Sequence, residues 1–335
     1  MGLLGALRLK LREARTDRLV RAQMQVLHGP ARVNLAQDQA GVVSLMKDAE
    51  YWVADFIRHH HALGAAHVVI MDNGSSDRTV EIARGFDRVT VLQNTLPAKQ
   101  YECPLRAVAA RMVLRGGWVL FVDSDEMAEV PCGLHALLRY CNGQGFTAVT
   151  SQMLDMFAPL PLSQTRGLDY GQSRAVMDRY TLDGLQRDPY HLPNNPIGWF
   201  LRDNTGAEGI QMLSGGVRRL LFNEDCMLTK HSLVRNVAGV RLMTHPHAAS
   251  GVVVADVSLV LKHYKLAGDF LARDRASVAA GTWDHAEDVR RVDAAGDGDF
   301  TIRVADPRVY EGPGRLVEDG FLAASQAYSA FCTGV

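Results

Sequence analysis

The sequence predicts an α/β fold in which a mostly parallel sheet, flanked by helices, is followed by a loop-rich second half. Three observations carry this. Strand-like and helix-like apolar runs alternate from residue 41 to residue 122, the pattern of a parallel sheet covered on both faces. Two of the strand-like runs, His67–Met71 and Trp118–Val122, end directly in acidic residues, where such sheets bind their ligands. Beyond about residue 145 the alternation weakens and prolines punctuate the chain.

Composition bounds the answer. At 335 residues the chain can form one large α/β domain with additions, or two smaller domains sharing a cleft. An apolar fraction of 47% and a charged fraction of 22% are ordinary for a globular protein. The net charge of −1 gives no bulk reason to expect a nucleic acid partner. The five cysteines, Cys103, Cys132, Cys141, Cys226 and Cys332, are odd in number, scattered and without a CxxC pair. They read as reduced thiols, with neither a zinc site nor a disulfide framework. With no apolar run near the roughly 18 residues of a membrane span and no signal-peptide pattern at the N-terminus, the expected location is cytoplasmic.

The elements follow in order. Residues 3–27 read as a basic helix, since Arg8, Arg12, Arg15, Arg18 and Arg21 recur at three- and four-residue steps among leucines. Such a helix either packs on the main body or attaches peripherally to an anionic membrane at its inner face. Gly41–Met46 is the first apolar run, Glu50–Leu63 has helical spacing, and His67–Met71 is a second run ending at Asp72. Asn73-Gly74-Ser75-Ser76 turns the chain into a helix reaching Gly85, with Ser76 or Asp77 at its cap. Val89–Gln93 is a third strand, Tyr101–Arg115 a helix and Trp118–Val122 a fourth strand. Pro159, Pro161, Pro189, Pro193 and Pro196 mark residues 158–210 as a variable insertion. The chain therefore divides into an N-terminal helical extension (1–40), an alternating half (41–150) and a second half (151–335) with a C-terminal helical segment.

Two motifs carry chemistry. Trp118-Val-Leu-Phe-Val-Asp123-Ser124-Asp125-Glu126 delivers two carboxylates at the end of a buried strand. Hard oxygen ligands there suit Mg²⁺ or Mn²⁺, which also holds the oxygens of a diphosphate. In Val68-Val-Ile-Met-Asp72-Asn-Gly-Ser-Ser-Asp77, one carboxylate ends a strand and the next opens a helix. Asp77 reads as a cap, and Asp72 as a residue gripping a nucleoside.

Together with Ser44–Gly64, these motifs resemble the family-2-like glycosyltransferases, whose nucleotide-sugar domain has the GT-A fold. That family runs Lys-Asn-Glu, a helix ending in His and Leu-Gly, then Asp-Asn-Gly-Ser-x-Asp and Asp-x-Asp-Glu. This chain supplies Lys47, His60, Leu63-Gly64, Asp72-Asn73-Gly74-Ser75, Asp77 and Asp123/Asp125/Glu126 in that order. Asp48 and Ala49 depart from the family's Asn and Glu. The resemblance extends through Met153–Met156, Gly215–Phe222, Lys230, Thr244-His245 and Leu261–Lys265. It implies a Rossmann-like donor half, an acceptor-binding second half, a UDP- or GDP-sugar donor, a divalent metal on Asp123 and Asp125, and inverting transfer to a glycan or other hydroxyl acceptor.

Glycosyl transfer needs the charge of the leaving diphosphate neutralised, by the metal and by cations such as Lys47, Arg106, Arg218 or Lys265. Ser124, between the two carboxylates, is counted among the donor contacts. The acceptor hydroxyl must lose a proton to a carboxylate. Asp155 is the first candidate, because it stands in the apolar run Val149–Phe157, where an unpaired carboxylate would be expensive. Asp225 and Glu224 are the alternatives. His263 reads as a third metal ligand, with His245 and His247 behind it. His59-His60-His61 do not converge on one ion, because consecutive helical positions point about 100° apart. Two rival functions stand beside this one: a non-catalytic sugar-nucleotide or glycan-binding module, favoured only by Ala49, and a nucleotidyltransferase, disfavoured because Met46–Tyr51 contains no glycine.

Overall fold

In the predicted alternating region every strand core is apolar on both faces. Val42, Val68, Ile70 and Leu120 join one buried cluster, while their neighbours Val43, Val69, Met71 and Val119 join another. Side chains alternate across a strand, so the sheet is buried on both sides, as a helix-covered sheet must be. The computed structural model describes residues 3–192, 195–280, 287–296 and 298–334, with residues 3–10 and 280 described by their backbone alone. Pro193 and the side chain of Arg8, both used in the sequence reading, lie outside what is described.

The elements that position the site are α1 (Leu3–Ala22), β1 (Gln25–His28), β2 (Ala40–Met46), α2 (Val53–Ala62), β3 (His67–Asp72), α3 (Thr79–Arg84), β4 (Val89–Gln93), α4 (Ala98–Val113) and β5 (Trp118–Phe121). They continue as β6 (Glu126–Glu129), α5 (Leu134–Gln144), β7 (Ala148–Asp155), α6 (Tyr170–Val176), β8 (Thr205–Gly206), α7 (Val217–Phe222), β9 (Thr229–Arg235) and β10 (Val253–His263). Helices α8 (Phe270–Ala280), α9 (Glu287–Ala295) and α10 (Gln326–Thr333) follow. Helix α2 buries Val53, Phe56, Ile57 and His60, one stripe at three- and four-residue steps. It faces one side of the sheet; α4, through Leu105, Val108, Ala109 and Val113, faces the other.

One ten-stranded mixed sheet runs in the order β1-β4-β3-β2-β5-β9-β7-β10-β8, with β6 paired to β10. The pairs β3/β4, β2/β3, β2/β5, β7/β10 and β8/β10 are parallel. Strands β9 and β6 run antiparallel to their neighbours. Strand order reverses between β2 and β5, so the crevice beyond their C-terminal ends is where such a sheet takes a ligand. Residues 41–150 and 151–335 share this sheet, since β7, β9 and β10 continue it beyond β5.

Two expectations are corrected. Residues 25–28 are not helical: α1 ends at Ala22, and β1 pairs antiparallel with β4 at the sheet edge. Helix α1 is tied to the body by Asp17 to Arg111 (2.9 Å), by Glu13 to Arg241 (2.5 Å) and by buried Val20. The cysteines are not all reduced, because Cys132 and Cys332 form a disulfide that fastens α10 beside the loop after β6. Their separation of 200 residues hid the pairing from any spacing rule. A disulfide is at home in an oxidising compartment, which removes the thiol-based support for a cytoplasmic location. Cys103, Cys141 and Cys226 are free. No described helix is long and apolar enough to cross a membrane.

Candidate active site

The loops after β2 and β3 are built as one polar rim. Ser76 donates its backbone N–H to Asp48 at 2.7 Å, Glu50 donates to Asp77 at 2.8 Å, and Ala49 donates to the Thr79 hydroxyl at 2.7 Å. Asp77 thus fastens two loops together and accepts from Thr79 at the start of α3. Asp72 is fully buried, and its carboxylate accepts from the Gly74 and Ser75 amides and from Gln93. These contacts give it a task in holding the turn, where the sequence reading had a nucleoside contact. Gly74 has φ +80°, a conformation open to glycine at no steric cost. Lys47 is exposed at the end of β2.

Beyond β5 the chain turns through Asp123, Ser124 and Asp125 into β6. The Asp123 amide donates to Glu126 at 2.8 Å, closing the turn. Arg106, from α4, reaches Asp123 and lies 3.0 Å from Glu102. Lys230, from β9, reaches Asp123 at 2.7 Å and also Glu126. Burial alone would raise the Asp123 pKa, but these two cations outweigh it and hold the carboxyl well below its usual range. Burial dominates at Glu126 and leaves its pKa raised, despite Lys230.

The second carboxylate faces different partners. Strand register sets His263 of β10 between Glu126 of β6 and Asp155 of β7. The imidazole Nδ1 meets Asp155 at 2.5 Å, while Nε2 lies 3.5 Å from Asp125. Lys265 stands 4.0 Å from the same Asp125 oxygen. Burial opposes charge on His263, but Asp125 and Asp155 overcome it and lift its pKa to about 9. The Asp125 pKa is depressed in turn: burial opposes ionisation, and His263 and Lys265 prevail.

Asp155 is only 3% exposed, and its second oxygen accepts from Arg218 Nε at 3.0 Å. Burial pushes its pKa up, yet Arg218 and His263 pull it down to about 2. A carboxylate so clamped is a weak base whose two oxygens are already engaged. Its geometry is that of an orienting group, fixing the ring of His263 from behind as carboxylates do for metal-ligating histidines. Asp225 is not brought to the site: its side chain is 72% exposed and pairs with Arg219. Buried Glu224 lies nearer in the network, 3.5 Å from Arg218 and 2.7 Å from Arg291 of α9, which also holds Asp274. His247 sits against the Thr229 carbonyl, and burial depresses its pKa to about 3. His245 is half-buried and packs at a tilt against the Phe200 ring.

Of the predicted residues, the structure gathers Asp123, Ser124, Asp125, Arg106, His263, Lys265, Asp155 and Arg218 around the ends of β5, β7 and β10. The sequence reading named Lys230 in the resemblance but gave it no role as a partner of Asp123, and its polar neighbours Thr229, His231 and Ser232 offered no local signal for one. It also passed over Tyr170, which burial and the Asp125 charge keep protonated.

Among the described residues no three His, Cys, Asp or Glu side chains form a ready cage for an ion. That speaks neither for nor against a metal, since Mg²⁺-type sites commonly use one or two carboxylates plus substrate phosphates. Asp125 with the outward imidazole nitrogen of His263 fits such a partial site. Asp123 has one oxygen on each of two cations, and a carboxylate oxygen keeps a second lone pair. A small pocket of about 20 Å³, lined mainly by apolar residues, includes Ser173 and Leu266. It is lined by no charged side chain, so the chemistry belongs to the strand ends.

No protein-family model matches the chain, and no curated protein matches it. Among solved structures it is similar to one described as "Crystal Structure of a Mycobacterial Protein", at 19% identity and a TM-score of 0.24. The match covers 38% of this chain and 43% of that one, under half of either length. A likeness of this size carries no argument about fold or activity.

Proposed function

We propose that the chain is a metal-dependent glycosyltransferase of the GT-A type, moving a sugar from a UDP- or GDP-sugar to the hydroxyl of a glycan or other acceptor, with inversion. The observation that carries the proposal is the approach of Asp125 to His263 at the C-terminal ends of β5 and β10, with Asp123 on the same turn, beside the reversal in strand order. The rim formed by the loops after β2 and β3 adds support, because it borders the same crevice and carries the Asp-Asn-Gly-Ser turn.

Asp125 and His263 would hold Mn²⁺ or Mg²⁺, with Asp123 beside them. The ion's contribution is to offset charge on the leaving diphosphate. The chain's own residues do the rest. Asp155 fixes the His263 ring, Arg218 fixes Asp155, and Lys230 with Arg106 sets the direction of the Asp123 carboxylate. Lys265, partly exposed next to Asp125, is a cation available to phosphate oxygens. With Asp155 clamped between His263 and Arg218 and Asp225 turned to solvent, neither is favoured as the base that takes the acceptor's proton. The test is incubation with a panel of nucleotide sugars and acceptors, with Mn²⁺ or with EDTA, following nucleoside diphosphate release. Pyrophosphate release from a triphosphate, or metal-independent turnover, would overturn the proposal.

A further inference from the structure

Beside Asp125 lies a cluster that, apart from Lys265, the strand-end network does not use. Tyr170, on α6, is 1% exposed, and its hydroxyl has no hydrogen-bond partner among the described residues. Leaving a buried hydroxyl unsatisfied is unfavourable, and a site that needed only the ring would be served by phenylalanine. The strongest charge acting on that hydroxyl is Asp125, yet the two form no hydrogen bond. The ring is packed firmly, 5.5 Å from Tyr51 and 5.8 Å from Tyr264. Tyr264 is itself fixed to the metal-motif turn, donating its amide to the Asp125 carbonyl at 2.8 Å.

Three cations, Arg174, Arg273 and Lys265, border this aromatic strip. Arg174 lies 5.8 Å over Tyr170 and 5.7 Å over Tyr264, its Nε buried and unpartnered among the described residues. Arg273 lies over Tyr51 and Trp52 at 5.6 and 4.9 Å and gives its hydrogen bonds to the backbone carbonyls of Lys265 and Ala267. Lys265 completes the set, with its ammonium 4.0 Å from Asp125. Asp125, Asp269 and Asp274 act on Arg273, whereas Arg174 makes no ion pair among the described residues, and stacked guanidiniums and phenols keep their planes available to a ligand.

We propose that Tyr170 is a ligand-binding residue of the candidate site, its hydroxyl donating to a phosphoryl oxygen of a diphosphate received by Arg174 and Lys265. The inference rests on the nucleotide-sugar reading for the identity of the ligand, and on the orphan Tyr170 hydroxyl and the unpartnered Arg174 Nε for its chemistry. Tyr170 holds its ring in the aromatic strip and lends one neutral donor; Arg174 supplies charge; Lys265 bridges to the turn that carries Asp125.

The test compares wild type, Tyr170→Phe and Arg174→Gln by calorimetric titration with inorganic pyrophosphate, UDP and GDP, each with Mn²⁺, alongside thermal unfolding. Because the hydroxyl has no protein partner, Tyr170→Phe should melt no lower than wild type. It should bind pyrophosphate about 10- to 100-fold more weakly, the usual range for a lost hydrogen bond to a charged group. Arg174→Gln should weaken binding at least as much. Equal pyrophosphate affinity in wild type and Tyr170→Phe, no pyrophosphate binding by wild type, or a lower melting temperature with unchanged affinity would each overturn the proposal. Pyrophosphate binding that weakens as described without any binding of UDP or GDP would uphold the diphosphate site and overturn the nucleotide-sugar reading alone.

Discussion

Asp155→Asn separates an orienting carboxylate from a catalytic one. In the native chain Asp155 lies between two cations, Arg218 at 3.0 Å and His263 at 2.5 Å, and its pKa stands at about 2 against an ordinary 3.8. That difference makes the ionised form worth roughly 2 kcal/mol to folding at neutral pH. Truncating one partner of a buried ion pair costs about 3–5 kcal/mol, and asparagine keeps size and one acceptor, so a loss of about 2–4 kcal/mol is expected. Melting temperature should fall by roughly 5 °C or more. The pH dependence gives a second readout. Asp155, depressed, contributes above its ordinary value and loses that contribution as pH falls through about 2. His263, raised, contributes below 6.5 and loses its contribution as pH rises through about 9. Metal-free wild type should therefore weaken between pH 6.5 and 9, and Asp155→Asn should weaken less over that window, one of the two carboxylates supporting the imidazolium being gone. Calorimetry from pH 5 to 10 in EDTA measures both. An unchanged melting temperature with transfer reduced about 10²- to 10⁴-fold would refute the orienting role and restore Asp155 as the base.

Asp125→Ala should remove Mn²⁺-dependent turnover while the sheet stays folded, because the residue lies at a strand end; activity in EDTA equal to activity in Mn²⁺ would contradict it. Deleting residues 3–22 should lower the melting temperature, since α1 is tied through Asp17, Glu13 and Val20, and should leave binding to anionic vesicles unchanged. Salt-sensitive vesicle binding lost with the helix would instead favour a membrane attachment. Cys332→Ser, or reduction, should cost on the order of 2–4 kcal/mol by freeing α10 from the loop after β6, and identical denaturant midpoints with and without reductant would exclude that.

Legibility in the sequence followed the range of the interactions involved. Val89–Gln93 is a strand with the bounds its apolar run predicts, and Trp118–Phe121 falls one residue short of its prediction, because a fully buried strand is written in consecutive residues. Helix starts were less visible. The spacing begins at Glu50, but α2 begins at Val53, since Asp48, Ala49 and Glu50 are held by side chains of the neighbouring loop. The insertion of antiparallel β9 between β5 and β7 has no local signature. The same holds at the site. Asp123 and Asp125 announce themselves in one strand end, whereas the partners that decide the role of Asp155 come from 63 and 108 residues away. A lone carboxylate in an apolar strand signals that a partner exists without identifying it. A base and an orienting group are written alike until the partner is known.

Buried neutral histidines should set the acid limit of this fold ahead of its carboxylates. His60 is fully buried, its Nδ1–H donating to the Phe56 carbonyl at 2.8 Å. His67 donates from Nε2 to the Thr90 hydroxyl, whose own proton goes to the Pro30 carbonyl, and His231 shares a hydrogen bond with Tyr190 at 2.8 Å. Burial is the main cause in each case, lowering the pKa to about 3 for His60 and about 4 for His67 and His231. Between those values and 6.5 the unfolded chain binds more protons than the folded one, so stability falls as the solution is acidified through that window. Each group contributes roughly 3–5 kcal/mol of loss, and the three together rival the whole stability of a typical protein, about 5–15 kcal/mol. The fold should therefore unfold cooperatively between pH 6 and 4, before Asp155 takes up its proton. A circular dichroism titration measures the midpoint. His60→Gln, which removes one titrating group, should shift it to lower pH even if stability at pH 8 declines. A midpoint near pH 3, or one indifferent to the substitution, would return acid sensitivity to the carboxylates.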